Sequence, residues 1–205
     1  MPLTSLHQLL FAAVGFGLCL PSAAHSADTP ETRPGRSLTE FDGNDGMNWK
    51  VVDDGVMGGL SEGRIAATEA GTMKFSGLLS LENNGGFSSF RSDDVNLDLS
   101  NELGLVLRVL GDGRTYQARL ATDARYRGME VSFAAEFATT KGEWTEVKVP
   151  FTAFTASFRG TALPDEKLDA AKIRRLSILL GDKKQAPFAI ELDFIRTYRA
   201  TAAAE

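Results

Sequence analysis

From Leu38 to Tyr198 the apolar residues fall largely on alternate positions, in short runs separated by Gly, Asp and Asn. A period of two puts successive side chains on opposite faces of a strand, and an amphipathic helix cannot be written with it. In Thr115–Thr122, Tyr116, Ala118 and Leu120 alternate with Gln117 and Arg119. In Trp144–Val149, Thr145, Val147 and Val149 share one parity, while Trp144, Glu146 and Lys148 share the other. In Pro187–Tyr198 the pattern predicts Phe188, Ile190, Leu192 and Phe194 on one face, with Glu191 and Asp193 opposite. Met129–Phe137 alternates in part, and Ile173–Leu180 reads as an apolar strand. Two hairpins are predicted, one around Glu69-Ala70-Gly71 and one around Gly111-Asp112-Gly113-Arg114, since Gly-containing and Asp-Gly turns between strand-like runs favour tight reversals. Asn84-Gly85 is a third turn signal of that kind. Only Asp165–Lys172 reads as helical, for a turn or two. The expected fold class is all-β, an antiparallel β-sandwich or barrel in one domain.

The ends of the chain read differently. Leu9–Leu20 is an apolar run followed by Pro21 and small residues, too short for a stable membrane span but suited to a signal peptide. Ala24-His25-Ser26 is a small-x-small cleavage site, with Ser22-Ala23-Ala24 as the alternative. The expected organisation is a signal peptide over residues 1–26, a flexible tether over 27–37, the domain over 38–198 and a disordered tail over 199–205. The mature protein is expected to be exported to the periplasm, with no stable transmembrane segment left.

Cleavage after Ser26 removes the only cysteine, Cys19, and both histidines, His7 and His25. Ser-His-Asp and Cys-His nucleophiles and thiolate or imidazole zinc sites are then excluded. The formal charge of −5 gives no footprint for nucleic acid. Carboxylates, Lys and Tyr remain, but Asp53, Asp54, Asp93, Asp94 and Asp112 all read as turn formers. No catalytic residue, metal site or cofactor is assigned.

Two loops carry the functional candidates. Asp53-Asp54-Gly55-Val56-Met57-Gly58-Gly59-Leu60-Ser61 lacks the G-K-[ST] of a P-loop. Its glycines form either a backbone nest for an anion or a bulged corner in which Asp54 and Ser61 bond nearby backbone groups. Leu81–Arg91 holds the second glycine doublet, Gly85-Gly86. Arg91 is expected to pair with Asp53 or Asp54 and so join the loops, or else to hold a ligand. The binding candidates are Trp49, Asp54, Gly58, Gly59, Ser61, Asn83, Asn84, Gly86, Phe87 and Arg91. An exposed aromatic face for sugars would have to use Trp49, Tyr126 and Trp144.

These strings carry a family resemblance. Trp49 with Asp54-Gly55-Val56-Met57-Gly58-Gly59-x-Ser61, then Phe75-x-Gly77, then Glu82-Asn83-Asn84-Gly85-Gly86-Phe87 with Arg91, resemble the NADH:ubiquinone oxidoreductase intermediate-associated protein 30 family. Gly111-Asp112-Gly113-Arg114 with Tyr116, Trp144 with Val149-Pro150-Phe151 and Phe154, and Pro187-Phe188 with Ile195 continue the match over Leu38–Tyr198. The resemblance implies a galactose-binding-like jelly roll with a non-enzymatic role. Mitochondrial members of the family hold assembly intermediates of respiratory complex I in the matrix. For an exported chain it implies an assembly-factor or chaperone-like module for a protein client in the periplasm. A glycan is the alternative partner, because carbohydrate-binding modules share the fold.

Overall fold

The computed structural model describes residues 31–42 and 47–201. The expected signal peptide and its cleavage site lie outside the described residues. Thirteen strands follow in order: β1 Thr32–Thr39, β2 Trp49–Asp53, β3 Glu62–Ala67, β4 Met73–Leu79, β5 Ser88–Ser92, β6 Gly104–Leu110, β7 Thr115–Tyr126, β8 Met129–Ala138, β9 Trp144–Pro150, β10 Thr155–Phe158, β11 Thr161–Ala162, β12 Arg175–Leu180 and β13 Ala186–Ala200. Among the described residues helix occurs only as short 3₁₀ turns, and the expected helical stretch reduces to Ala170–Lys172.

Two antiparallel sheets face each other, which is the predicted sandwich. One runs β3-β4-β13-β6-β9, with β1 also on β13; the other runs β11-β10-β8-β7-β12-β5-β2. Phe75, Ile190 and Leu192 of the first sheet meet Phe90, Leu120, Phe133 and Ile178 of the second in one core. The Phe75 ring lies 5.0 Å from that of Phe90 and 4.8 Å from that of Phe188. Each such side chain contributes about 1.5–3 kcal/mol by leaving water.

The turn around Glu69-Ala70-Gly71 is a hairpin, with β3 and β4 paired in register. The predicted hairpin at Gly111–Arg114 is not one. Strand β6 pairs with β13 and β9, whereas β7 pairs with β12 and β8, so these four residues carry the chain from one sheet to the other. The reason is the burial of Arg114. Its guanidinium is paired with Asp182, 3.0 Å from Nε and 2.5 Å from Nη2, and donates to the carbonyls of Lys184, Ala186 and Pro187. Asp112 accepts from Tyr116 Oη at 3.0 Å and from the Ala189 amide at 2.9 Å. Asn84-Gly85 likewise makes a sheet-to-sheet crossing, from β4 to β5.

Strand β13 occupies the centre of the first sheet. One edge pairs with β4 over Ala186–Leu192 and with β1 over Ile195–Ala200; the other pairs with β6. A register shift between Leu192 and Phe194 corrects the predicted parity. A bulge adds one residue and moves the side chains beyond it to the opposite face. Phe194 therefore leaves the core face and clusters with Val106 and Tyr198 on the outside of the sheet. The expected tether is also corrected: residues 32–37 belong to β1, and the Arg36 amide donates to Thr197 Oγ1 at 2.8 Å. Pro34 is accommodated because β1 pairs on one side only and shifts register after it. Arg199 and Ala200, assigned to the tail, end β13.

Candidate functional site

Strand β2 ends at Asp53, and the chain turns through the 3₁₀ segment Asp54–Met57 into Gly58, whose φ of 88° is left-handed. Asp54 is fully buried. Its Oδ1 accepts from the Ser61 amide at 2.9 Å, and its Oδ2 accepts from Ser61 Oγ at 2.6 Å. Oδ2 also accepts from the amides of Gly86, at 2.6 Å, and Phe87, at 3.2 Å. Burial pushes this carboxyl up, but the bonds from Ser61, Gly86 and Phe87 outweigh it and hold Asp54 below the ordinary carboxylate range. Gly59 lies against the same group, where a Cβ would come within 2.4 Å of Asp54 Cγ. Asp53 accepts from the Gly63 amide at 2.9 Å and from Ser88 Oγ at 2.5 Å.

The two glycine loops are thus one structure, but Arg91 does not join them. Both aspartates are bonded to amides and hydroxyls, and Arg91 has no carboxylate partner among the described residues. The expected Arg91–Asp53 or Arg91–Asp54 pair is replaced by the Asp54 latch. The physical reason lies in the sheet. Asp53 opposes Ser88 at one end of the β2–β5 ladder, while Arg91 opposes Lys50 three residues further along.

The ten sequence candidates separate accordingly. Trp49 packs on Phe41 and Phe90, with ring centroids at 5.3 and 5.2 Å. Asp54, Gly59 and Ser61 form the buried latch. Gly58 and Asn83 are exposed, Asn83 with φ of 53°. Asn84, Gly86, Phe87 and Arg91 line one cleft of about 750 Å³. Its floor is the outer face of the seven-stranded sheet, and one wall is the latched turn with Val56 and Met57, which are 78% and 65% exposed.

Register builds the floor. Arg91 on β5 and Arg119 on β7 both oppose Ser177 on β12, so the two arginines flank it in one row. Gln117 and Leu179 form the neighbouring row of the same face. Arg119 Nε donates to Gln117 Oε1 at 3.0 Å. Arg91 Nε is buried without a hydrogen-bond partner. Burial and then the charge of Arg175 push the Arg91 guanidinium below its ordinary value; burial and then Arg91 do the same to Arg119. Arg175, further along the face, is neutralised by Asp94 and by Glu130 at 3.0 Å. Arg159 and Lys183 add positive charge at the rim.

Sequence reasoning missed Arg119, Gln117, Leu179 and Lys183. The signal for the first two was the parity of Thr115–Thr122, which turns Gln117 and Arg119 away from the core. Among the described residues no Asp, Glu, Trp or Tyr lines this cleft. Trp49, Tyr126 and Trp144 do not form a common face. Trp49 packs on the core, Tyr126 packs on Phe158 at 5.4 Å, and Trp144 lies in the other sheet beneath Arg108. No group of three or more His, Cys, Asp or Glu that could hold a metal occurs among the described residues.

Comparison with known proteins extends this geometry. The family model described as Complex I intermediate-associated protein 30 (CIA30) matches residues 39–192. The mouse protein "Complex I intermediate-associated protein 30, mitochondrial" is 32% identical over 114 residues, covering 54% of this chain and 35% of that protein. Its Drosophila melanogaster namesake is 25% identical over 167 residues, covering 77% of this chain and 55% of that protein. The chain therefore matches about a third to just over half of the length of these relatives. Among solved structures, the family 11 carbohydrate-binding module from Clostridium thermocellum, in complex with a β-1,3-1,4-mixed-linked tetrasaccharide, is similar with a TM-score of 0.61. It is 15% identical, with 82% of this chain and 96% of that one covered. At that identity the likeness concerns the β-sandwich alone.

Proposed function

Since the chain belongs to the Complex I intermediate-associated protein 30 family, we propose that it is a non-enzymatic binding module which holds a protein client in the manner of an assembly factor. The carrying observation is the Val56–Met57 pair, two exposed apolar side chains on a turn fixed by the buried Asp54 latch, beside a cleft with a polar floor. Exposed apolar residues rimmed by polar groups suit a protein interface. A hydrolase would need two carboxylates facing across the cleft, and among the described residues none lines it. The carbohydrate-binding alternative is supported by the fold, but sugar rings stack on exposed Trp or Tyr, which this cleft lacks among the described residues. The apolar run Leu9–Leu20 supports export, and we place the client in the periplasm on that ground.

The protein starting at Ala27 should capture a defined client from periplasmic and membrane extract, identified by mass spectrometry. Met57→Asp should abolish that capture without lowering the melting temperature. Retention on an immobilised soluble β-glucan, with no protein captured, would overturn the reading in favour of a carbohydrate module.

A further inference from the structure

We infer that Arg91 and Arg119 form an anion subsite which receives the carboxylate side chains of an acidic segment of the client. This rests on the client-binding reading above and names the chemistry of the bound segment. Three observations carry it. First, register sets the two guanidinium-bearing residues on either side of Ser177, so both line one cleft. Second, neither makes a salt bridge among the described residues, although the chain has more acidic residues than basic ones, 27 against 22; Glu130, the one carboxylate whose charge acts on Arg91, is paired with Arg175. The neighbouring Arg175 shows what the same face does with a structural arginine, since it is held by both Asp94 and Glu130. Third, Arg91 Nε is buried with no acceptor at all.

A half-buried guanidinium with one unsatisfied donor costs free energy, and the cost grows when like charges share the site. An arriving carboxylate relieves the like-charge effect. It accepts from donors already arranged, and it places negative charge between positive ones. The Arg159 and Lys183 side chains at the rim extend the same field outwards. The occupant is assigned as a peptide by the remaining wall. Val56 and Met57 flank the arginines with exposed apolar surface that an inorganic anion would leave wet. A uronic-acid glycan would supply carboxylates, but it would find no Trp or Tyr among the described lining residues to stack on. A strand or loop that alternates acidic and aliphatic residues fits both walls.

The probe is a short fluorescein-labelled peptide of alternating Glu and Leu, titrated with the protein that starts at Ala27 and followed by anisotropy. Binding should weaken at least about tenfold in Arg91→Ala and in Arg119→Ala. The peptide with Gln in place of Glu should lose as much, and binding to the native protein should fall as salt is raised. Arg64→Ala, on the exposed edge strand β3 of the other sheet, should bind like the native protein. Loss of either cleft arginine relieves like-charge repulsion, so the melting temperature should not fall. If Arg91→Ala does not fold, Arg119→Gln carries the same test.

Equal binding of the Glu and Gln peptides, or unchanged binding in the arginine variants, would overturn the subsite. So would binding of oligogalacturonate or inorganic phosphate in the absence of peptide binding. The subsite and the client reading fail separately. A client captured equally by native protein and Arg119→Ala leaves the client reading standing without the subsite. Peptide binding that depends on the arginines, with no client captured from extract, leaves the subsite standing without that reading.

Discussion

The Asp54 carboxylate ties the wall of the cleft to the loop beside it. Three amides and a hydroxyl, from its own turn and from the Gly85-Gly86 loop, converge on two oxygens that water does not reach. Asp54→Ala leaves those buried donors without an acceptor and should cost about 3 kcal/mol or more; Ser61 Oγ alone keeps a second contact, the Ser80 carbonyl. Because the native carboxyl is held below its ordinary value, its contribution is complete above the unfolded value of about 3.9 and is lost as the pH falls through the lower native value. Urea denaturation should therefore show a constant stability gap between native protein and Asp54→Asn from about pH 7 to 5, narrowing towards pH 3. A gap that stays constant throughout would contradict the latch. At this scale the sequence was half legible. Asp54 and Ser61 read as partners of nearby backbone, and they do bond within the turn. The bonds to Gly86 and Phe87 cross between loops, which no local pattern encodes. Arg91 stood out for its charge, but its partner could not be chosen before the β2–β5 register was known.

Strand β9 kept the parity its sequence predicted, and β7 kept it as far as Leu120, ahead of the register shift between Ala121 and Arg125. Strand β13 did not, since an inserted register step leaves the apolar count unchanged while reversing every side chain after it. Asp112-Gly113 shows a second limit. A turn signal specifies that the chain reverses, not which strand it meets next, and the buried Arg114–Asp182 pair decides that here. The apparent tether over residues 32–37 had no apolar period because β1 pairs along one edge of β13 outside the main core. Deleting residues 1–37 should strip the Arg196–Ala200 edge of its partner, leaving only the Thr39–Ile195 pairing and lowering stability by about 2–4 kcal/mol through lost ladder bonds. The freed edge should also promote self-association. Light scattering after gel filtration, together with denaturant titration, reads both; a monomer of native stability would show that β1 is dispensable.

At the scale of the whole molecule, charge hid the site. A net charge of −5 argues against a nucleic-acid partner, yet it averages over a cleft whose described lining has no acidic residue. Composition reports the sum, while the strand register that gathers Arg91 and Arg119 is a property of the fold. The order of assembly is likewise written in topology. Strand β13 pairs with β4, β6 and β1, so the centre of one sheet comes from the last strand of the described fold. Such non-local pairing favours slow folding, on the order of milliseconds to seconds. A chain stopped after Gln185 should lack a cooperative unfolding transition and be rapidly digested by protease, whereas one stopped after Thr201 should behave as the full chain; a folded product from the shorter chain would refute this assembly order. For the cell, folding would then act as a checkpoint on synthesis: a polypeptide released before Ala186 lacks the strand around which the six-stranded sheet is built, so a folded copy would be one whose synthesis had passed Ala200.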